Sequence, residues 1–471
     1  MQWSIPSCNG SANSSPGAPC APRWQSRAVM TLPASFRAVL QAMLSGSALL
    51  LAPLASAQQD AAAPPASSAP PSEPVPVPVP EGAKPEPTKA EPAEKKERAW
   101  YERIRIRGYS QVRYNRLPSF RVNDELVNDQ GDRFLGRNTG FGIRRARLVL
   151  FGEVHDRVSI YLQPDFASVI GDQYNVTLMR DWYADIFLDA KKEFRLRVGQ
   201  SKIPFGFENL QSSQNRLPLD RNDAINSALK DERDLGVFFY WAPDEIRKRF
   251  KYLVDNNLKG SGDYGVVGVG VFNGQTANRA ERNDTPHGVV RVTYPFLFGS
   301  QYVEAGVGGY YGRFDTSVSP RDGMPYALAR GSNLVDARAI VSLVIYPQPL
   351  GFQAEYNLGR GPSLGEGPVD GLLIDSRQLR GGYAQLMYKL DGVLGVSLIP
   401  YIRGTLYDGG KKFETNAPLY DVRELEMGAE WQLNKALELT GAYLVSNRTS
   451  SRYPYTQEQG HVTRVQLQFN Y

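Results

Sequence analysis

The sequence is poor in cysteine and histidine. Its two cysteines, Cys8 and Cys20, both lie near the N-terminus, so the rest of the chain contains neither a disulfide framework nor a thiolate metal site. The three histidines, His155, His287 and His461, are scattered, and no GxSxG or HExxH motif accompanies them. We therefore predict a protein with no cofactor and no bound metal, while an outer-membrane hydrolase that uses one of these histidines stays open as an alternative.

Long apolar segments and concentrated charge are also missing. After the N-terminal region, no uninterrupted apolar run approaches the roughly 18 residues that a membrane-spanning helix needs. The formal net charge is +5 over 471 residues. Nucleic-acid-binding proteins usually concentrate more basic charge than this, so we predict no nucleic-acid partner.

The N-terminal 57 residues are predicted to be an export signal. From Met30, the charge of Arg37 precedes the apolar stretch "AVLQAMLSGSALLLAPL", and Ala55-Ser56-Ala57 forms a small-x-small cleavage site. Met30 is the expected translation start. A core helix at this position is the alternative.

Residues 58–99 have a different composition, dominated by Pro, Ala, Glu and Lys, as in "PVPVPVPEGAKPEPTKAEPAEKKER". Such a tract buries too little apolar surface to fold and favours extended polyproline-II conformations. We expect a disordered periplasmic spacer that acts as a tether or as a contact with the cell wall.

Residues 100–471 consist of recurrent stretches with two-residue alternation. In "RVQLQFNY" (464–471), the apolar residues Val465, Leu467, Phe469 and Tyr471 alternate with polar ones, which is typical of a strand with one apolar and one wet face. That apolar face meets either a soluble core or lipid. Sixteen such strands are predicted: 103–115, 143–153, 157–165, 178–188, 194–202, 235–242, 264–272, 288–295, 301–311, 336–346, 352–358, 379–389, 395–407, 421–433, 436–447 and 462–471.

The connections between these strands favour the lipid-facing interpretation. Tight turns such as "VHDR", "AKKE" and "NKA" alternate with long polar connections, among them 166–177, 203–234 and 359–378. Short turns on one side and long loops on the other are typical of outer-membrane barrels. We predict an all-β fold, a sixteen-stranded antiparallel transmembrane β-barrel, in which the connection 243–263 is long where a short turn is expected.

Charged residues mostly share the strand face opposite the apolar row, which predicts that they face a lumen. Asp181 and Asp185 oppose Trp182 in the fourth strand, and Glu424, Glu426 and Glu430 oppose an apolar row in the fourteenth. A lipid-facing Arg or Lys at the bilayer centre costs roughly 2–4 kcal/mol. One residue breaks the pattern: Arg144 shares a side with leucines, and we expect it to reach the membrane interface.

The barrel region resembles the phosphate-selective porin family, from about residue 101 to the end. The resemblance depends on the order and spacing of six short motifs, and no single one of them is decisive. The motifs are "LRVGQSKIPFGFENLQSS" (196–213), "RDLGV" (233–237), "FNG" (272–274), "GGYAQLMYKL" (381–390), "PYIRGTLYDG" (400–409) and "MGAEWQLN" (427–434). The resemblance implies an integral outer-membrane channel that forms homotrimers and lets small anions such as phosphate diffuse passively.

The resemblance also implies that the third long loop, here 203–234, bends into the lumen. Within it, "RNDAINSALKD" predicts a short helix capped by Asn222. A surface loop of no special role is the alternative. The constriction candidates in this loop are the cationic residues Arg216, Arg221, Lys230 and Arg233.

Arginines on the lumenal strand faces are the candidate anion contacts, because the guanidinium fork fits phosphate oxygens. They are Arg103, Arg105, Arg107, Arg113, Arg145, Arg147, Arg195 and Arg197. Two other interpretations stay open. The arginines brace the wall by pairing with lumenal carboxylates, or the barrel is a structural or adhesive protein whose loops bind a partner.

Overall fold

The computed structural model describes residues 99–116, 126, 140–170, 173–319, 327–329, 332–366, 372–393, 395–449 and 455–471. The predicted signal segment and the spacer lie outside the described residues. No described helix combines the length and the apolarity needed to cross a bilayer.

The described residues form eighteen strands, and sixteen of them build the wall. The wall strands are β1 (Ile104–Arg116), β2 (Gly140–His155), β3 (Val158–Ile170), β4 (Gln173–Phe187), β5 (Phe194–Lys202), β6 (Arg233–Trp241), β7 (Val267–Phe272), β8 (His287–Phe298), β9 (Gln301–Phe314), β11 (Leu334–Ile345), β12 (Leu350–Glu366), β13 (Leu372–Tyr388), β15 (Val396–Gly410), β16 (Leu419–Asn434), β17 (Leu437–Thr449) and β18 (Gln457–Asn470). The other two, β10 (Ala327–Ala329) and β14 (Leu390–Val393), are short additions at the ends of hairpins.

The sheet closes on itself, because β18 pairs antiparallel with β1 from Tyr109↔Asn470 to Arg116↔Thr463. A closed barrel leaves no unpaired sheet edge. Tyr471 continues this pairing through two backbone hydrogen bonds with Gly108. Its ring packs over Gly108 so closely that a Cβ at residue 108 would be only 2.5 Å from the Tyr471 ring. The alternating ribbon 464–471 is therefore part of the strand that closes the barrel.

Side chains alternate between an apolar outer face and a charged inner face, as the sequence predicts. On the outer face, Trp182, Val271 and Val290 are 59%, 52% and 48% exposed. Aromatic rings cluster on the outside near the short-turn end, where Tyr294 and Phe298 flank Phe296 with centroids 4.8 and 5.9 Å away. Such a ring cluster is typical of the girdle at a lipid boundary.

Three sequence-based boundaries are wrong. The predicted loops 166–177 and 359–378 are mostly strand. In the first, β3 continues to Ile170 and β4 begins at Gln173, and in the second, β12 and β13 stay paired out to Glu366↔Leu372. The strands β12 and β13 have 17 residues each, more than the roughly 9–11 that a tilted strand needs to cross the bilayer. The ends of this hairpin therefore project beyond the bilayer. Alternation fades there because neither face meets lipid.

The connection 243–266 is the third difference. Where a tight turn is expected, it contains the twelve-residue helix α2 (Asp244–Asp255), whose Ile246 and Phe250 pack against Ala242 and Val266 at the end of the wall. The long connection is explained by this helix and by the residues after it, which fold inward.

Residues 203–232, here called the constriction loop, lie inside the barrel. The loop leaves β5 and reaches β1, four strands away around the wall, where Ser213 and Tyr109 contact each other through side-chain oxygens 2.6 Å apart. It contains the four-residue helix α1 (Asp223–Asn226), and the Asn222 side chain caps this helix by accepting a hydrogen bond from the Ile225 amide at 3.1 Å. The inward course and the capped helix are as predicted.

Candidate functional site: an arginine-rich constriction

Two β-bulges place additional arginines on the lumenal face. In the β1–β2 ladder Gln111 pairs with Arg145 but Val112 pairs with Ile143, so Arg144 is the extra residue. A bulge inserts one residue and resets the alternation beyond it. As a result, Arg144 and Arg145 both point into the barrel.

The second bulge lies in the neighbouring β3–β4 ladder. Gln163 pairs with Asp181 and Pro164 with Met179, which leaves Arg180 as the extra residue. Arg180 and Asp181 are both buried on the lumenal side. The expectation that Arg144 reaches the membrane interface is wrong, because the bulge turns it toward Asp220 of the constriction loop, 3.2 Å away.

These bulges and the constriction loop enclose a cavity of about 50 Å³, here called the cation-rich cavity. This volume exceeds the roughly 10–15 Å³ that one water needs. Eight cationic side chains line it, against three carboxylates. The cations are Arg144, Arg145, Arg147, Arg180, Arg216, Arg221, Lys230 and Arg233, and the carboxylates are Asp220, Asp231 and Glu232.

Arg145 is the least compensated of these cations. Its Nη1 donates to Gln111 Oε1 at 2.7 Å, and its Nε has no hydrogen-bond partner in the part of the chain that the structure describes. Among the described residues no carboxylate lies within 4 Å of it. Arg216 is similar, since within the same described part of the chain its Nε has no partner and the nearest carboxylate oxygen, on Glu232, is 3.9 Å away. Both side chains are about 5% exposed, so their charges face the cavity with little screening.

Glu232 binds two of the other cations in this cavity, Arg221 and Arg233, and also binds Lys202 beside it. It lies 3.1 Å from Lys202, 3.3 Å from Arg221 and 2.7 Å from Arg233. Burial by itself raises the pKa of Glu232, but these cations and Arg216 hold it well below its usual range. Glu232 is therefore ionised at neutral pH, and it orders the cations without neutralising all of them.

Asp220 connects the constriction loop to three adjacent wall strands, β18, β1 and β2. Its carboxylate accepts from Arg113 at 2.9 Å, from Arg464 at 2.7 Å and from Arg144 at 3.2 Å. Burial raises the pKa of Asp220, but the three guanidinium groups outweigh burial and hold it well below its usual range. The three-arginine cluster is thus occupied by a carboxylate of the protein itself.

A second cavity of about 30 Å³, here called the balanced cavity, lies on the other side of Asp220 and Arg221. Four arginines and four carboxylates line it: Arg221, Arg403, Arg448 and Arg464 with Asp220, Asp223, Glu424 and Glu426. Its cations are paired, for example Arg464 with Glu426 at 2.9 Å and Arg448 with Glu424.

The constriction loop is held in place by buried contacts with the wall. Arg403 donates to Glu208 through both Nη atoms, at 2.5 and 3.2 Å. Glu355 accepts the backbone amides of Phe207 and Glu208 at 2.5 and 2.8 Å. Removing one partner of such a buried pair typically costs about 3–5 kcal/mol, so the loop is a fixed part of the lumen.

The predicted anion contacts fall into three groups. Arg103, Arg105 and Arg107 lie at the short-turn end, where Arg103 pairs with Asp156, which is 84% exposed. Arg195 and Arg197 pair with Asp185 on the neighbouring strand, at 3.8 and 2.7 Å. The third group, Arg113, Arg145 and Arg147, lies around the constriction loop.

The four predicted loop candidates all line the cation-rich cavity, although three of them are strongly paired. Lys230 lies 3.1 Å from Glu414, Arg221 binds Glu232, and Arg233 binds Asp181 at 2.9 Å as well as Glu232. The wall-bracing interpretation thus describes Arg197 and Arg233. Arg145 and Arg216 fit the anion-contact interpretation better.

Sequence reasoning missed several residues of this site. Arg180 and Glu232 were not among the candidates, nor was Asp220. The sequence does contain a signal for the two bulges, namely adjacent charged residues within strands, "RR" at 144–145 and "RD" at 180–181. Two neighbouring residues can both face the lumen only at a bulge, so these pairs mark where the bulges lie.

The three histidines are separated from this site and from one another. His155 is the last residue of β2 and accepts from the Arg157 amide at 3.2 Å. His287 packs beside Asp336 at 3.5 Å, and His461 lies 2.8 Å from the Tyr443 hydroxyl. These contacts are local.

Known proteins show the following similarities. A model of the family described as phosphate-selective porin O and P matches residues 120–471. No curated relative matches the chain. Among solved structures, the outer membrane channel DcaP of Acinetobacter baumannii is 12% identical, with 78% of this chain and 97% of that chain covered and a TM-score of 0.47. An anion-selective porin from Comamonas acidovorans is 12% identical over 78% and 99%, with a TM-score of 0.44. Salmonella typhi OmpF in complex with daunomycin is 11% identical over 78% and 97%, with a TM-score of 0.48.

Proposed function

Because the chain belongs to the phosphate-selective porin O and P family, it is an integral outer-membrane channel, and we propose that the cation-rich cavity makes it prefer small anions such as phosphate. Selectivity in a pore depends on its width and on the charges that line it. The constriction loop supplies the narrowing, and the arginines supply the charge.

The observation that carries this proposal is the incomplete compensation of Arg145 and Arg216. Both guanidinium groups are buried in the cavity wall, and neither has a carboxylate within hydrogen-bond distance among the described residues. A charge-assisted, bidentate contact with a phosphate oxygen pair is the interaction that an unpaired guanidinium makes best. An anion that enters the cavity would supply the missing partner.

Two further features belong to the same proposal. The protein works as a passive channel and not as a hydrolase, which fits the local structural contacts of its histidines. It assembles as a homotrimer, as the family resemblance implies.

Planar-bilayer recordings of the purified channel test this function. We expect the reversal potential across a potassium chloride gradient to show anion preference, and added phosphate to reduce the chloride current because it occupies the arginine site. A cation-selective reversal potential would overturn the proposal. Anion preference without any effect of phosphate would contradict the phosphate site and leave a general anion pore.

A further inference from the structure

A second element crosses the lumen, from the short-turn side, and it is formed by residues 256–264, here called the periplasmic bar. These residues follow helix α2 and precede β7, but Leu258, Lys259 and Ser261 are 5%, 2% and 6% exposed. Leu258 packs with Phe207 of the constriction loop. A connection at the rim of a barrel normally faces water, so this burial shows that the bar lies inside.

The bar reaches the opposite wall through one side chain. Lys259 Nζ donates to Glu430 Oε1 at 2.6 Å, and both side chains are 2% exposed. The bar joins the sixth and seventh wall strands, whereas Glu430 lies on β16, the fourteenth, so the two are about half a circumference apart. Glu430 lies four residues before the end of β16 at Asn434, which places the contact near the short-turn exit.

The backbone of the bar is held in an unusual conformation. Asn257 and Lys259 have φ values of 56° and 66°, in the left-handed region. This region is uncommon for residues other than glycine and costs of order 1–3 kcal/mol where the surroundings impose it. The inward turn at Lys259 is further fixed by Gln211 of the constriction loop, whose Nε2 donates to the Lys259 carbonyl at 2.7 Å.

The wall that Lys259 contacts is acidic. Glu438 of β17 pairs with Gln432 of β16, which lies two residues beyond Glu430 on the same strand face. It accepts from Gln468 at 3.0 Å and from Asn470 at 2.9 Å, and among the described residues no cation lies within 4 Å of it. Without Lys259, two carboxylates would face the exit with no cation beside them, which would repel an anion leaving the constriction.

We propose that Lys259 is a selectivity-determining residue at the periplasmic exit, where the bar narrows the lumen and its ammonium group cancels the charge of Glu430. This inference rests on the proposed anion preference. It adds a second filter below the arginine-rich constriction, built from a connection that sequence analysis treated as a turn of unexplained length.

Three variants test the bar: Lys259→Met, Glu430→Gln and the double variant. Lys259→Met exposes the acidic wall, so we expect the anion-to-cation permeability ratio to fall roughly threefold and the single-channel conductance to rise. Glu430→Gln leaves the ammonium uncompensated and should raise the ratio. The double variant removes both charges, so its ratio should return close to wild type.

Lys248→Met is the matched control, since Lys248 lies on the outer side of α2 with its side chain 75% exposed and paired to Asp244. Its reversal potential and conductance should match wild type. Heat-modifiable migration in gels confirms that each variant forms a barrel.

Wild-type reversal potential and conductance in both single variants would overturn the inference. A change of conductance with an unchanged reversal potential would also overturn the selectivity role and leave a purely steric bar. A wild-type channel without anion preference would instead contradict the proposed function. In that case the bar is still tested by whether Lys259→Met lowers and Glu430→Gln raises the permeability ratio.

Discussion

The cation-rich and balanced cavities share Asp220 and Arg221 but differ in charge. Among the described residues, eight cations and three carboxylates line the cation-rich cavity, whereas four cations and four carboxylates line the balanced cavity. The difference originates in the wall. The bulged strands β2 and β4 contribute Arg144, Arg145 and Arg180 to the first cavity, while β16 contributes Glu424 and Glu426 to the second. The same loop thus separates a region suited to anions from a region that is braced.

Neutralising the uncompensated arginines should abolish most of this contrast. In the variant Arg145→Gln/Arg216→Gln, we expect the anion-to-cation permeability ratio to fall roughly tenfold, equivalent to about 1.4 kcal/mol, because two weakly screened charges are removed from the cation-rich cavity. Reversal potentials in bilayers measure this ratio.

Arg448→Gln/Glu424→Gln is the control for that variant, since it removes both partners of one ion pair from the balanced cavity. The ratio should change less than about twofold, because the lost positive and negative charges cancel. An equal loss of selectivity in both variants would show that the ratio does not depend on the uncompensated arginines, and the contrast between the cavities would have no functional meaning.

Removing the internal carboxylate between the cavities should sharpen the contrast. Asp220→Asn leaves Arg113, Arg144 and Arg464 without their shared anion, so we expect phosphate to reduce the chloride current at a roughly fivefold lower concentration. Titration of the current with phosphate measures this effect.

Asp223→Asn is the matched control for Asp220→Asn. Asp223 lies three residues further along the same loop and, among the described residues, has no cation within 4 Å. Its variant should leave phosphate sensitivity unchanged. If both variants behave alike, loss of loop charge in general, and not release of the three arginines, sets phosphate affinity.

The smallest effect is expected far from both cavities. Arg103 lies at the short-turn rim, where its side chain is 33% exposed and its partner Asp156 is 84% exposed. Solvent-exposed ion pairs contribute about 0–1 kcal/mol and are screened by salt. Arg103→Gln should therefore keep both the wild-type reversal potential and the wild-type thermal unfolding temperature. A clear loss of anion preference would extend the selective region to the rim.

The strand pattern and the facing of most residues could be predicted from the sequence, since period-two alternation responds to lipid on one side and water on the other. Asp181, Asp185 and Glu430 lie on the predicted lumenal face for this reason. The course of 203–232 through the lumen followed from the family resemblance, and the cap at Asn222 from local chemistry.

The bulges, the three-arginine cluster around Asp220 and the periplasmic bar could not be predicted in the same way. The bulge turns Arg144 to the lumenal face, whereas strict alternation along β2 assigns it to the lipid face, and the alternation alone does not locate the bulge. The contacts of Asp220 with Arg464 and of Lys259 with Glu430 join residues 244 and 171 positions apart. Only the closed barrel brings such residues together.

Anomalous diffraction from crystals soaked in bromide tests the central difference between the cavities most directly, because bromide marks where an anion binds. The account predicts an anomalous peak in the cation-rich cavity, within contact of Arg145 and Arg216, and none in the balanced cavity. A peak beside Arg448 and Glu424, with none near Arg145, would contradict it.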